Sequence, residues 1–89
     1  MEHITLHQFE QIDGLRSSIL RMGDIEALIA TGNGMAVRDY IRATNRLLDA
    51  CIDAIGYEAA SEFPSAEACA ADIVTRSLMS ASFVVDMAA

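Results

Sequence analysis

The chain has 89 residues, with thirteen Asp and Glu against six Arg and no Lys, a formal net charge of -7 at pH 7. A chain of this length makes one domain that buries only about two-thirds of its surface. A composition of 53% hydrophobic and 21% charged residues excludes a disordered chain. The acidic balance disfavours nucleic acid and anionic lipid as partners and suits a basic one.

The opening MEHITLHQFEQ has no basic region followed by an apolar run, so no signal peptide is expected. The longest uncharged run also falls short of the roughly 20 residues of a membrane span. A cytoplasmic protein without membrane contact is the expectation. Thr5 followed by Gln8 fits a capping box, and Phe9, Ile12, Leu15, Ile19 and Met22 recur at helical spacing until Gly23. His3 and His7 stand four apart and could share a helix face with Glu10, workable spacing for metal ligands. A cap at Thr5, however, leaves His3 outside the helix and no other His follows, so no metal site is expected.

Asp24 can cap a short second helix bearing Ile25, Leu28 and Ile29. The sequence TGNG at 31–34 ends it, with two glycines and an Asn suited to positive φ. A third helix is predicted from about Met35 to Ile55, where Gly56 stops it. Val37, Ile41, Thr44, Leu48, Cys51 and Ile55 form its expected core stripe, widened by Tyr40, Leu47 and Ile52. Its opposite ridge carries Arg38, Arg42, Asn45, Arg46, Asp49 and Asp53. Cations near a helix N-terminus and anions near its C-terminus match the macrodipole poorly. A use for Arg38, Arg42 and Arg46 in gripping carboxylates or phosphates therefore stands beside a solvated face with the local pairs Asp39 to Arg42 and Arg46 to Asp49.

GYEAASEFPS at 56–65 reads as a loop, with Tyr57 and Phe63 as candidate partner anchors or, alternatively, with Phe63 plugging the bundle end and Tyr57 covering Cys51 or Ile55. Ser65 is placed to cap a last helix running to near the C-terminus. Between Arg76 and Asp86 this segment has no charge. One stripe holds Cys69, Ile73, Ser77, Ser80, Val84 and Met87, its neighbour Ala70, Val74, Leu78, Ala81 and Val85, yet Met79 and Phe83 sit on the face where water is expected. A helix apolar all round needs neighbours on all sides. Self-association through Leu78, Met79, Phe83, Val84 and Met87 supplies one in a two-fold dimer.

The fold class read from this pattern is all-α, a single domain over 1–89 built as a small bundle of about four helices, two short N-terminal ones followed by two long, with short connections favouring antiparallel neighbours. Cys51 and Cys69 lie on apolar stripes without metal or redox spacing and read as buried thiols. No Ser, Cys or carboxylate has a plausible catalytic set, no glycine pattern cradles phosphate, and neither catalysis nor a cofactor is expected. In size, acidity and lack of chemistry the chain is similar to small phage-encoded proteins that block host machinery, including CRISPR inhibitors. That resemblance is compositional and covers no specific residues. The residues themselves lead to the expectation of a non-catalytic homodimer that binds and inhibits or regulates a larger, unidentified protein through Arg38, Arg42, Arg46, Tyr57 and Phe63. Two alternatives differ in kind. One is a sensor of nucleotides or phosphate, its pocket lined by those arginines. The other is a helix-turn-helix regulator using Asp24 to Arg46, against which the net charge stands.

Overall fold

The computed structural model of the protein describes residues 4–80, and along them five helices follow one another: α1 Leu6–Met22, α2 Ile25–Ala30, α3 Gly34–Ile55, α4 Tyr57–Ser61 and α5 Ala66–Ser80. Local sequence starts four of the five. The Thr5 hydroxyl oxygen accepts from the Gln8 amide at 3.0 Å while Gln8 Oε1 accepts from the Thr5 amide at 3.0 Å, completing the capping box. Asp24 Oδ1 accepts from the Glu26 amide, Asn33 Oδ1 from the Ala36 amide and Ser65 Oγ from the Ala68 amide, at 3.1, 3.1 and 3.0 Å. Each satisfies an amide that the first helical turn leaves without an intrahelical acceptor.

Three expectations are corrected here. In TGNG the left-handed position falls on Gly32, at φ 71°, while Asn33 at φ -85° serves as the cap of α3. The first helix is long, 17 residues, so the short elements are α2 and α4. The segment expected to be a loop contains α4: Gly56, at φ 90° and ψ 157°, turns the chain out of α3, and the Ala-rich YEAAS then forms one helical turn before Pro64.

The helices α1, α3 and α5 pack pairwise against one another, and α2 and α4 lie against α3. Gln8 Nε2 donates to Asp53 Oδ2 at 3.3 Å, joining the start of α1 to the end of α3. At the other end Ser18 and Met22 share a groove with Asp39 and Arg42, so α1 and α3 are antiparallel. The Tyr40 hydroxyl donates to Glu67 Oε1 at 2.7 Å, while Asp72 and Arg76 border a cleft with Ala54 and Ile55. Advancing along α5 thus advances along α3, and the two run in the same general sense. The backtracking turn through α4 makes this possible and replaces the antiparallel pairing expected from short connections.

The core is built from Ile4, Ile12, Ile19, Leu47, Cys51, Cys69, Ala70 and Ile73, with Ala43, Ala50, Ala60, Ala66 and Val74 beside them. Leu47 and Cys51 are fully buried, as expected, but Ile41 and Leu48 are 50% and 38% exposed. The axis of burial on α3 runs instead through Ala43, Leu47, Ala50 and Cys51. Small side chains there let α1 and α5 approach closely, and Ile12, Ile19 and Ile73 fill the space between.

Two glycine substitutions separate backbone strain from packing, because a Cβ at either position meets no atom within 4 Å. Gly56→Ala forces a side chain into a conformation that only glycine adopts readily and is expected to cost about 1–3 kcal/mol. Gly14→Ala, inside α1, should stabilise by about 0.5–1 kcal/mol. Thermal unfolding should show Tm moving in opposite directions, by about 4–8 °C per kcal/mol. Tyr40 gives a pH signature. Its hydrogen bond to Glu67, then burial, then the Glu67 and Asp24 charges raise its hydroxyl above the usual value of 10. A raised folded pKa means that the contribution is intact below about pH 10 and is lost as pH rises through the folded value. Tyr40→Phe should cost about 1 kcal/mol at neutral pH and flatten the alkaline fall in stability, measured by urea unfolding between pH 7 and 11.

Candidate functional site

Two surfaces collect the residues that sequence reasoning singled out. The first is the outer face of α3. Arg38, Arg42 and Arg46 are all exposed on it, and Arg42 and Arg46 border an open groove of about 340 Å³ against α1, with Leu15, Met22 and Ala43 as its floor. A second groove of about 440 Å³ continues along the same seam, lined by Gln11, Leu15, Arg46, Asp49, Ala50 and Asp53. Among the described residues the ion pair present is Arg76 Nε to Asp72 Oδ2 at 3.0 Å on α5. The local pairs Asp39 to Arg42 and Arg46 to Asp49 are not formed, which leaves the three guanidinium groups of the ridge open to an outside anion. Exposed pairs of that kind contribute only a few tenths of a kcal/mol, so little opposes their absence.

The second surface lies where α3, α4 and the start of α5 meet. Leu48, Ile52, Tyr57, Ala60, Ser61, Phe63, Pro64, Ser65 and Ala66 line a cleft of about 260 Å³. Tyr57 is 71% exposed, so it does not cover Cys51 or Ile55. Phe63 is half-buried and packs on the core, as a plug does, while one side of it still lines the cleft. Sequence reasoning missed the contribution of Leu48 to this cleft, and it placed the half-exposed Ile41 in the core as well. The signal was available in α3, whose bulky and small apolar residues together cover more of its circumference than two neighbouring helices can hide.

The proposed self-association residues divide at the end of the described chain. Leu78 and Met79 are 60% and 82% exposed. Met79 therefore lies in water as its position implies, whereas Leu78, placed on a core-facing stripe by periodicity, does not face the core. Ser77 beside them is buried. Phe83, Val84 and Met87 lie outside the described residues.

Chemistry is sparse. Among the described residues no group of three His, Cys, Asp or Glu is arranged to hold a metal ion; His7 and Glu10 are exposed on α1, and His3 lies outside the described residues. No described helix is long and apolar enough to cross a membrane. Cys51 and Cys69 are free thiols with no exposed surface, on facing positions of α3 and α5. Burial first, and then the neighbouring Cys69, pushes the Cys51 thiol up to about 12. Burial likewise raises Cys69, and the hydrogen bond from Cys51 acts in the opposite direction. Both sulfurs are protonated near neutrality and are poor nucleophiles.

No protein-family model matches the chain, and neither a curated protein nor a solved structure matches it significantly. The functional reading therefore rests on these surfaces.

The thiols provide a check on the core. At pH 8 iodoacetamide should alkylate the native protein at least about 100-fold more slowly than the urea-unfolded chain, because reaction waits for opening of the α3–α5 interface. Since the folded pKa of Cys51 lies above that of a free thiol, its contribution to stability is full below about pH 9 and declines as pH rises toward about 12. Mass spectrometry of quenched samples reads the alkylation at each site.

Proposed function

We propose that this protein is a non-catalytic interaction protein, a homodimer through the C-terminal part of α5 that binds and inhibits or regulates a larger protein. The observation that carries this reading is the exposure of Leu78 and Met79, 60% and 82%, on a helix whose inner face is buried through Cys69, Ala70, Ile73 and Ser77. Water contact at two adjacent large apolar side chains is relieved by a partner, and the sequence has no charged residue from Ser77 to Val85. A two-fold arrangement would set the same residues of two chains against each other. The arginines of α3 and the exposed Tyr57 remain free in such a dimer to engage the larger protein, with guanidinium forks for carboxylates and an aromatic anchor for an apolar pocket.

Charge sets the expected conditions. Two copies at -7 each repel, so association through apolar residues should strengthen as salt screens that repulsion. Light scattering after gel filtration should give about twice the 9.6 kDa chain mass, with the dimer fraction rising between 50 and 500 mM salt. Leu78→Glu with Met79→Glu should give a folded monomer with an unchanged circular dichroism spectrum. A natural protein that stays monomeric across a wide concentration range removes the dimer from the reading.

A further inference from the structure

The fold sorts the charges by position. Five of the six arginines, Arg16, Arg21, Arg38, Arg42 and Arg46, lie between residues 16 and 46, and from Leu47 to Thr75 the chain has six carboxylates and no arginine. Those carboxylates are Asp49, Asp53, Glu58, Glu62, Glu67 and Asp72, the first four of them exposed. The same stretch builds the cleft of Leu48, Ile52, Tyr57 and Phe63. An apolar depression with a projecting aromatic ring therefore has Glu58 and Glu62 exposed on the segment that lines it, while the nearest arginine, Arg76, borders the adjoining cleft and is paired with Asp72.

We propose that this cleft docks a basic amphipathic helix of the partner protein. Apolar residues of that helix, three or four apart, seat against Leu48, Ile52 and Tyr57, and its Lys or Arg side chains face Glu58 and Glu62. The proposal rests on reading the protein as an interaction module and names the chemistry of its partner.

Three features favour this occupant. The walls at Ala60, Ser61, Ser65 and Ala66 are small, so the cleft admits a side chain from outside. Tyr57 begins α4 directly after Gly56, whose φ of 90° fixes the corner from which the ring projects. The Tyr side chain itself has only two rotatable angles to fix on binding. Charge decides among partners. An acidic helix would bring like charge to Glu58 and Glu62, the nearby Arg76 being paired with Asp72, and a second copy of this chain would bring -7, whereas a basic helix gains on approach and in register. Apolar anchors at helical spacing entering a groove are a recurrent mode of peptide recognition.

The test is a titration of the 15N-labelled full chain with a designed helical peptide of about 18 residues, Leu at i, i+4, i+7 and i+11 and Arg or Lys on the remaining face, followed by amide shifts. A control peptide carries Glu in place of every cation. The expected result is binding of the basic peptide alone, with the largest shifts at Leu48, Ile52, Tyr57, Ala60 and Ser61. Its affinity should fall at least about fivefold between 50 and 300 mM salt. Tyr57→Ala, at a site too exposed to disturb the core, should weaken binding at least about tenfold. Glu58→Arg, on the exposed surface of α4, should weaken it severalfold and restore some binding of the acidic control. Absence of binding at millimolar peptide, equal binding of the two peptides, shifts centred on Arg38, Arg42 and Arg46, or an unchanged affinity in Tyr57→Ala each overturns the proposal. Repeating the titration on Leu78→Glu with Met79→Glu separates the two readings, since loss of the dimer leaves the cleft in place.

Discussion

The structure depends on how closely α1 and α5 can approach α3. Along the buried line of α3, alanine, leucine and cysteine alternate so that Ala43 and Ala50 give room for the larger Ile12, Ile19 and Ile73 of the flanking helices. A small chain has little apolar volume to spend, and close approach of three helices extracts the most burial from it. With α1 and α5 already seated on that line, the bulkier Ile41 and Leu48 have no helix left to cover them. The exposed apolar face of the molecule is thus a geometric result of the way the core is filled.

The short helices extend the same economy. The turn through Gly56 sends the chain back over α3, and α4 covers part of the end of the bundle before Ser65 starts α5 in the same sense as α3. Charge follows from that path. Since α1 ends near the beginning of α3, Arg42 and Arg46 come to border the α1–α3 seam, where Asp49 and Asp53 also lie, and Glu58 and Glu62 are exposed together at α4. Neither grouping is visible in the net charge.

Much of the fold was legible before any coordinates. Thr5, Asp24 and Ser65 announce helix starts because short polar side chains satisfy first-turn amides, and Gly23 and Gly56 announce stops because their φ values are open to glycine. Residues 57–61 were harder, since one helical turn has no periodicity to detect and its alanines suit a loop as well as a helix. The phase of α3 was misjudged because hydropathy ranks Ile41 and Leu48 above Ala43 and Ala50, while helix packing at short distance prefers the small residues. Of the candidate sites, the openness of Met79 and the three arginines of α3 follows the sequence pattern, as does the packing of Phe63 against the core. The exposure of Tyr57 does not, because it depends on how Gly56 turns the chain into α4.

The caps divide the molecule by the order in which it can assemble. Four helices have a side chain at their threshold and can begin from local sequence, whereas α4 starts at Gly56 without a side-chain cap and spans five residues, too few to persist alone. Its hydrogen bonds draw their stability from contact with α3. The ring of Tyr57 is carried on that uncapped turn. Any partner that grips it also closes α4, and part of the binding free energy goes into holding one turn of helix shut; amide hydrogen exchange of residues 57–61 would register this as added protection.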